Sequence, residues 1–194
     1  MTRSTPSRQA QGFALLEVLV SLVIMMVGLI GLMGLQMHSV QAQTEAYQRQ
    51  QALLLIQDII DRINANHATA GCYDLSTATG GEYLGTGATQ PINCAGFGSA
   101  ETQSQAVRDL TEWNSELLGV GEQQDGNSVG AMIGARGCIT LKDPVARVYT
   151  VAIAWQGLRA STAPTDTCAS GLYGDERLRR VVAVDVRIAN LTAP

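Results

Sequence analysis

Residues 13–35 read FALLEVLVSLVIMMVGLIGLMGL, and this stretch decides how the chain is organised. Glu17 and Ser21 are its only polar side chains. A helix needs about 20 apolar residues to cross the core of a bilayer. A single span has to be helical, because lipid offers no partners to backbone hydrogen-bonding groups. The stretch therefore predicts one transmembrane helix.

Glu17 is the exception in this apolar stretch. A carboxylate at mid-membrane costs about 2.5–3.5 kcal/mol, so such a residue normally has a partner. The sequence has no Lys, Arg or His between Phe13 and Gln36. Cleavage between Gly12 and Phe13 would create an α-amino group about one helical turn from Glu17. Two partners stay open, this amino group and the same group of a neighbouring chain.

The residues around Gly12 resemble the processing site of type IV prepilins and type II secretion pseudopilins. The resemblance rests on a short leader with two arginines, then Gly12, Phe13 and Glu17, and then the apolar stretch. It implies that a prepilin peptidase removes residues 1–12 and methylates Phe13. It also implies that Glu17 is required for docking into the growing filament.

The leader also predicts the orientation in the membrane. Arg3 and Arg8 precede the apolar stretch, and the next basic residue is Arg49. The excess of positive charge on the leader keeps that end cytoplasmic. The rest of the chain is then expected in the periplasm, anchored by a helix that stays in the mature protein because it follows the cleavage site.

Three further segments resemble the PilV-type minor pilins. They are the Gly-Leu-x-Gly-Leu-x-Gly-Leu-Gln run at 28–36, the Asp-x-x-x-Arg-x-x-x-Asn pattern within 57–66, and the Asp109, Glu112 and Trp113 segment. The resemblance implies a subunit that joins other minor pilins and the major pilin at the inner-membrane assembly platform. It implies roles in priming, at the filament tip, in twitching motility and in adhesion. The alternative is a minor pseudopilin of a type II secretion system.

Gly28, Gly31 and Gly34 recur every three residues in the apolar stretch. Small residues let membrane helices approach closely, which is one interpretation of the repeat. Glycine also weakens a helix by up to about 1 kcal/mol per residue, which would let the segment extend within a filament. The sequence leaves both interpretations open.

The chain is expected to divide into four segments and to form an α+β, pilin-like lollipop. These are a leader at 1–12, a transmembrane and filament-core helix at 13–35, the periplasmic half of that helix at 36–67, and a globular head at 68–194. The seat for the head is an apolar stripe at helical spacing. Its members are Ala52, Leu55, Ile56, Ile59 and Ile63.

The head is predicted to contain one helix and a small antiparallel sheet of three or four strands. The helix is expected at 101–118, and the strands at 137–141, 147–155 and 179–188, where apolar residues alternate. Residues 72–100 are expected to form a loop. The inward face of the second helix is predicted to carry Val107, Leu110, Trp113 and Leu117.

The chain has four cysteines, Cys72, Cys94, Cys138 and Cys168, without a closely spaced pair. A zinc site is therefore not expected. An even number of cysteines outside the cytoplasm indicates two disulfides, for which the sequence allows three pairings. We favour Cys72–Cys94 and Cys138–Cys168, because each closes a loop rich in Gly, Thr and Ser. The alternative leaves one pair free.

Composition argues against other classes of function. The net charge is −4, and loss of the two leader arginines lowers the side-chain charge to −6. Nucleic-acid binding by bulk charge is not expected, although a local patch at a tip stays open. The acidic residues within 166–176 lack the spacing of a calcium loop, which argues against calcium binding. The sequence does not decide the question. With no nucleophile–base pair or phosphate loop in sight, we expect neither an enzyme nor a cofactor.

Overall fold

The computed structural model describes residues 15–77, 83–89, 92–120, 123–124, 127–128 and 132–189. The chain divides after Gln43 into two compact units. Helices α1 and α2 span Leu15–Ala65 and Ala100–Leu117. The strands are β1 (Leu84–Gly85), β2 (Gln123–Gln124), β3 (Asn127–Ser128), β4 (Arg136–Asp143), β5 (Val148–Gln156) and β6 (Arg179–Arg187). Short 3-10 helices occupy His67–Tyr73, Leu75–Thr77 and Glu176–Leu178.

The part of α1 in the first unit is exposed on all sides. Every side chain from 15 to 40 is exposed, although most of them are apolar. By length and composition, Leu15–Ala65 could cross a membrane, and it is the one such helix in the described ranges. The helical conformation predicted for the apolar stretch is therefore confirmed from Leu15 onward, and its crossing of a membrane stays a prediction.

The second unit contains a four-stranded antiparallel sheet in the order β1-β4-β5-β6. Strand β5 lies at its centre, with Ile139 of β4 opposite Val151 and Val184 of β6 opposite the same residue. The predicted α+β class and strand number are confirmed. The expectation of loop throughout 72–100 was wrong at Leu84–Gly85, since these two residues pair with β4. Two residues are too short a strand to show any periodicity. A separate hairpin joins β2 and β3.

One face of the sheet packs with both helices in the main hydrophobic core. Strand β5 contributes Tyr149, Val151, Ile153 and Trp155, which alternate along the strand and so lie on one of its faces. Helix α1 contributes its apolar stripe, in which Leu55 is only partly buried and Ile60 is an additional buried member. The core places α2 beside the C-terminal part of α1.

The opposite face of the sheet carries a second, smaller cluster around Ala152 and Ala154. The segment between β5 and β6 covers it through Cys168, which is bonded to Cys138. Arg179 is only 2% exposed, and its guanidinium binds Glu176 and three carbonyl oxygens of this segment. The other disulfide joins Cys72 to Cys94. These are the two pairings favoured from the sequence.

Candidate assembly site

The first candidate feature is the carboxylate of Glu17 on the exposed apolar part of α1. Ser21 donates its hydroxyl hydrogen to the backbone carbonyl of Glu17 at 2.7 Å. This bond satisfies the Ser21 hydroxyl within the helix and does not involve the Glu17 carboxylate. Within the described ranges, the Glu17 carboxylate has no hydrogen bond or ion pair. Gly12 and Phe13 lie outside those ranges, so the cleavage site and the pairing of Glu17 stay predictions.

The three glycines of α1 make no contact that would require a glycine. A Cβ atom built at Gly28, Gly31 or Gly34 would meet nothing within 4 Å. No close packing inside the described subunit therefore explains them. Close approach of a neighbouring helix and local helix weakness both stay open.

A second candidate feature is a cluster of charges where α2 lies beside α1. Arg62 of α1 binds Asp58 one turn earlier at 2.7 Å and forms an ion pair with Glu112 of α2. It also approaches Glu116 at 3.2 Å and the buried Asp109 at 3.7 Å. One guanidinium thus faces four carboxylates.

The pKa values reflect this imbalance. Burial lowers the pKa of Arg62, but the hydrogen bonds to Glu112 and Asp58 outweigh it, and the pKa is raised above its usual value. Burial and then the charge of Asp58 raise the pKa of Glu116, while Arg62 opposes that rise. Arg62 is therefore the cation that keeps the cluster together.

A chain of buried hydrogen bonds continues this contact. Asn66 donates to the carbonyl of Thr102 at 2.8 Å and to the Tyr73 hydroxyl at 3.3 Å. The Tyr73 hydroxyl donates to Asp109, and Gln105 donates to the other oxygen of that carboxylate at 2.7 Å. Burial, followed by the bond to Asp109, raises the pKa of Tyr73. Asp109 is thus buried with hydrogen-bond donors on both oxygens.

These contacts give a physical role to the pattern at 58–66. Asp58 and Arg62 of α1 and Asn66, directly after it, follow one another at intervals of four, so they lie on one side of the helix. These residues contact α2. Trp113 of α2 adds a hydrogen bond between the two helices, from its indole N–H to the Leu55 carbonyl of α1 at 3.0 Å. The sequence showed this motif without showing what it contacts. The sequence did not indicate that Tyr73 contacts α2, because Tyr73 belongs to no periodic pattern.

The acidic residues of the 166–176 segment have partners in the described protein. Asp166 accepts the Cys168 N–H at 2.8 Å, and Asp175 pairs with Arg177 at 2.9 Å. Glu176 accepts from Gly171, and this bond and then Arg179 lower its pKa. Their observed contacts hold the segment together. Within the described ranges, no three potential metal-ligating side chains form a group.

Two family models match the chain, and together they cover Glu17 and most of the residues of the Arg62 cluster. Residues 34–111 match the family described as Tt1218-like, type IV pilin Tt1218. Residues 7–33 match the prokaryotic N-terminal methylation motif. The two matches support a type IV pilin. That family is structural rather than enzymatic. No curated protein and no solved structure matches the chain.

The two matches cover different parts of the candidate site. The methylation motif covers Gly12, Phe13 and Glu17, and the Tt1218-like match covers the Asp58, Arg62 and Asn66 face and most of α2. The prepilin motif and the apolar helix indicate membrane anchoring before assembly into a pilus.

Proposed function

We propose that the chain is a PilV-type minor pilin, which helps to prime type IV pilus assembly and sits at the filament tip. The observation that carries this proposal is the uncovered apolar part of α1 with the unpaired carboxylate of Glu17. A monomer in water would not leave so many apolar side chains exposed, whereas a subunit that moves from lipid to a helical bundle needs them.

The proposed topology follows from the leader and the apolar stretch. Prepilin peptidase removes residues 1–12 and methylates Phe13. Residues 13–35 span the inner membrane with the N-terminus in the cytoplasm. Residues 36–67 and the head at 68–194 lie in the periplasm and reach the cell surface with the pilus, where they serve twitching motility and adhesion.

Assembly then exchanges lipid for neighbouring helices around the apolar stretch. The apolar side chains stay out of water in both states, so this exchange alone gives little direction. Glu17 supplies it, since a buried carboxylate is tolerated only opposite a positive group. The new amino group of Phe13, on the same chain or on a neighbouring pilin, is that group. The assembly platform and the other pilins are the partners in this step.

A minor pseudopilin of a type II secretion system is the alternative function. It would share the leader, Phe13 and Glu17. The PilV-type assignment is favoured by the glycine run at 28–36 and by the Asp109 and Trp113 segment of α2. Detection of the native chain in sheared surface pili would support the pilus. Its restriction to a secretion apparatus would support the alternative.

The intact mass of the native protein tests the processing. We expect a chain that begins at Phe13, heavier by one methyl group and lighter by two hydrogens for each disulfide, in membranes and in sheared filaments. A chain that keeps residues 1–12 in cells with active prepilin peptidase would refute the proposal.

Substitution of Glu17 tests the assembly step. Glu17→Gln should insert into membranes normally but be depleted from filaments. The variant leaves the positive amino group of Phe13 buried without its partner, which costs about 3–5 kcal/mol, roughly a hundredfold or more in occupancy. Ser21→Ala is the matched control, since within the described ranges Ser21 bonds only to a carbonyl of its own helix. Immunoblots of membranes and sheared filaments measure both. Wild-type incorporation of Glu17→Gln would show that the carboxylate has no such role.

A further inference from the structure

A pocket of about 340 Å³ lies in the second unit, between α1 and the strands β5 and β6. Glu45 and Arg49 line it from the helix, one turn apart. Trp155 and Arg180 line it from the sheet, with two valines of β6 beside them. Neither the Glu17 region nor the Arg62 cluster includes any of these residues.

The charges in this pocket do not balance. Arg180 pairs with Glu45 at 3.3 Å. Arg49 is exposed and has no hydrogen bond or ion pair in the part of the chain that the structure describes. The pocket is therefore lined by two guanidinium groups and one carboxylate. The pocket is locally positive, although the chain as a whole is acidic.

Trp155, which lines this pocket, carries a buried hydrogen-bond donor without a partner in the part of the chain that the structure describes. The Trp155 side chain is buried, and its indole N–H has no acceptor within the described ranges. Buried donors of this kind usually have partners. The pocket thus offers an apolar wall and, in Arg49, a cation without a partner in the described ranges.

The Arg180 side chain, one of the two cations of the pocket, is held by backbone carbonyls. Arg180 donates to the carbonyls of Arg159 at 2.6 Å and Arg177 at 3.0 Å. A Cβ at Gly157 would lie 2.8 Å from the Arg180 guanidinium carbon, so the glycine is what lets this group lie against the backbone. Arg180 is thus occupied by its own partners, so Arg49 is the guanidinium left to bind a carboxylate from outside the chain.

We propose that this pocket receives an acidic side chain, Asp or Glu, of a different pilin subunit in the filament. Arg49 binds the incoming carboxylate, and the wall formed by Trp155 covers its aliphatic stem. Arg and Trp are the residue types most enriched among the residues that dominate binding energy at interfaces. The inference rests on the proposed function, because a minor subunit has other pilins as its neighbours.

The sequence offers a direct chemical test, because Lys142 is the chain's only lysine. Lys142 pairs with Asp185, outside the pocket. The Arg49→Lys variant adds a primary amine there, which a carbodiimide joins to a touching carboxylate as an amide with loss of water. The variant is combined with Glu45→Gln to prevent coupling within the chain. Arg108→Lys, on the exposed face of α2, is the control.

The coupling is run on intact membranes and on sheared filaments, and the products are analysed by mass spectrometry. We expect the Arg49→Lys chain to form a product with an acidic residue of another pilin, absent from wild type and from Arg108→Lys. The absence of a product in both preparations, or a product only between two copies of this chain, would overturn the proposal.

Charge reversal gives an independent readout. Arg49→Glu should enter filaments about tenfold less well than wild type at equal membrane abundance, because like charges across an interface repel. Arg108→Glu makes the same charge change away from the pocket and should assemble normally. Wild-type incorporation of Arg49→Glu would overturn the pocket alone. Absence of the wild-type chain from pili would overturn the proposed function. The coupling in membranes would still show whether the pocket binds an acidic side chain of another pilin.

Discussion

Replacing Arg62 by Met tests the contact between α1 and α2. The change removes the guanidinium and keeps most of the aliphatic stem, so the packing is largely preserved. Four carboxylates that now face Arg62 would then face one another. We expect the second unit to unfold more easily.

The structure sets the size of this effect. The side chains of Asp58, Glu112 and Glu116 are 39%, 61% and 37% exposed, so solvent screens each of these pairs to about 0–1 kcal/mol. The Asp109 side chain is only 5% exposed and would lose its nearby cation, although Tyr73 and Gln105 still donate to it. A buried polar group that loses a partner costs about 1–3 kcal/mol. The free energy of unfolding should fall by about 2–4 kcal/mol.

The loss should depend on pH. Burial and then Asp58 already raise the pKa of Glu116, and loss of Arg62 removes the opposing charge. A carboxyl group with a raised pKa in the folded state favours folding below its unfolded pKa, and that contribution is lost as pH rises through the folded value. The penalty of Arg62→Met should therefore be larger at pH 7.5 than at pH 5.

Urea unfolding of the detergent-solubilised full chain, followed by tryptophan fluorescence, measures the effect. The only two tryptophans, Trp113 and Trp155, are both buried in the second unit. Arg108→Met is the control, because Arg108 is exposed and bonds only to Gln105. It should change stability by less than about 0.5 kcal/mol. An Arg62→Met penalty as small as the control's, or one that does not shrink at pH 5, would refute the reasoning.

Two further changes test the packing and the covering segment of the second unit. Gly137→Ala should destabilise by about 1–3 kcal/mol in the same urea assay, since its Cβ would lie 2.3 Å from the Trp113 ring; an unchanged midpoint would contradict this packing. The double change of Cys138→Ser and Cys168→Ser opens a loop with a sequence separation of 30 and should cost about 3–4 kcal/mol. Reduced wild-type protein loses both disulfides and should be destabilised at least as much, and equal stability of the oxidised and reduced forms would contradict the estimate.

The sequence predicted those parts of the fold that repeat. Alternation along β5 predicted the strand without deciding which face is inward, and helical spacing identified the buried stripe of α1. The α2 prediction of 101–118 differs by one residue at each end from Ala100–Leu117. Each of these elements buries one side, so the burial of its side chains follows its own period. The same rule fails at Leu84–Gly85, which is too short to have a period.

Contacts between distant segments could not be predicted in the same way. Nothing near Tyr73 in the sequence indicates that its hydroxyl meets Asp109, and nothing near Arg49 indicates that it lines a pocket with Arg180. Such pairs depend on how the elements pack, whereas patterns report only the face of one element. Ala152 and Ala154 show the same limit, since the covering segment buries a strand face that alternation alone would leave open.

The residues that stabilise the second unit and those that carry the prepilin motif are different residues. Every buried side chain in the described ranges lies between Gln48 and Ile188, whereas each side chain from 15 to 40 is exposed. Substitutions at Glu17 or Gly31 therefore remove no contact of the hydrophobic core. Any defect they cause therefore has to arise outside the hydrophobic core of the second unit. Arg62→Met should have the opposite signature, with reduced stability in an isolated subunit before any filament forms.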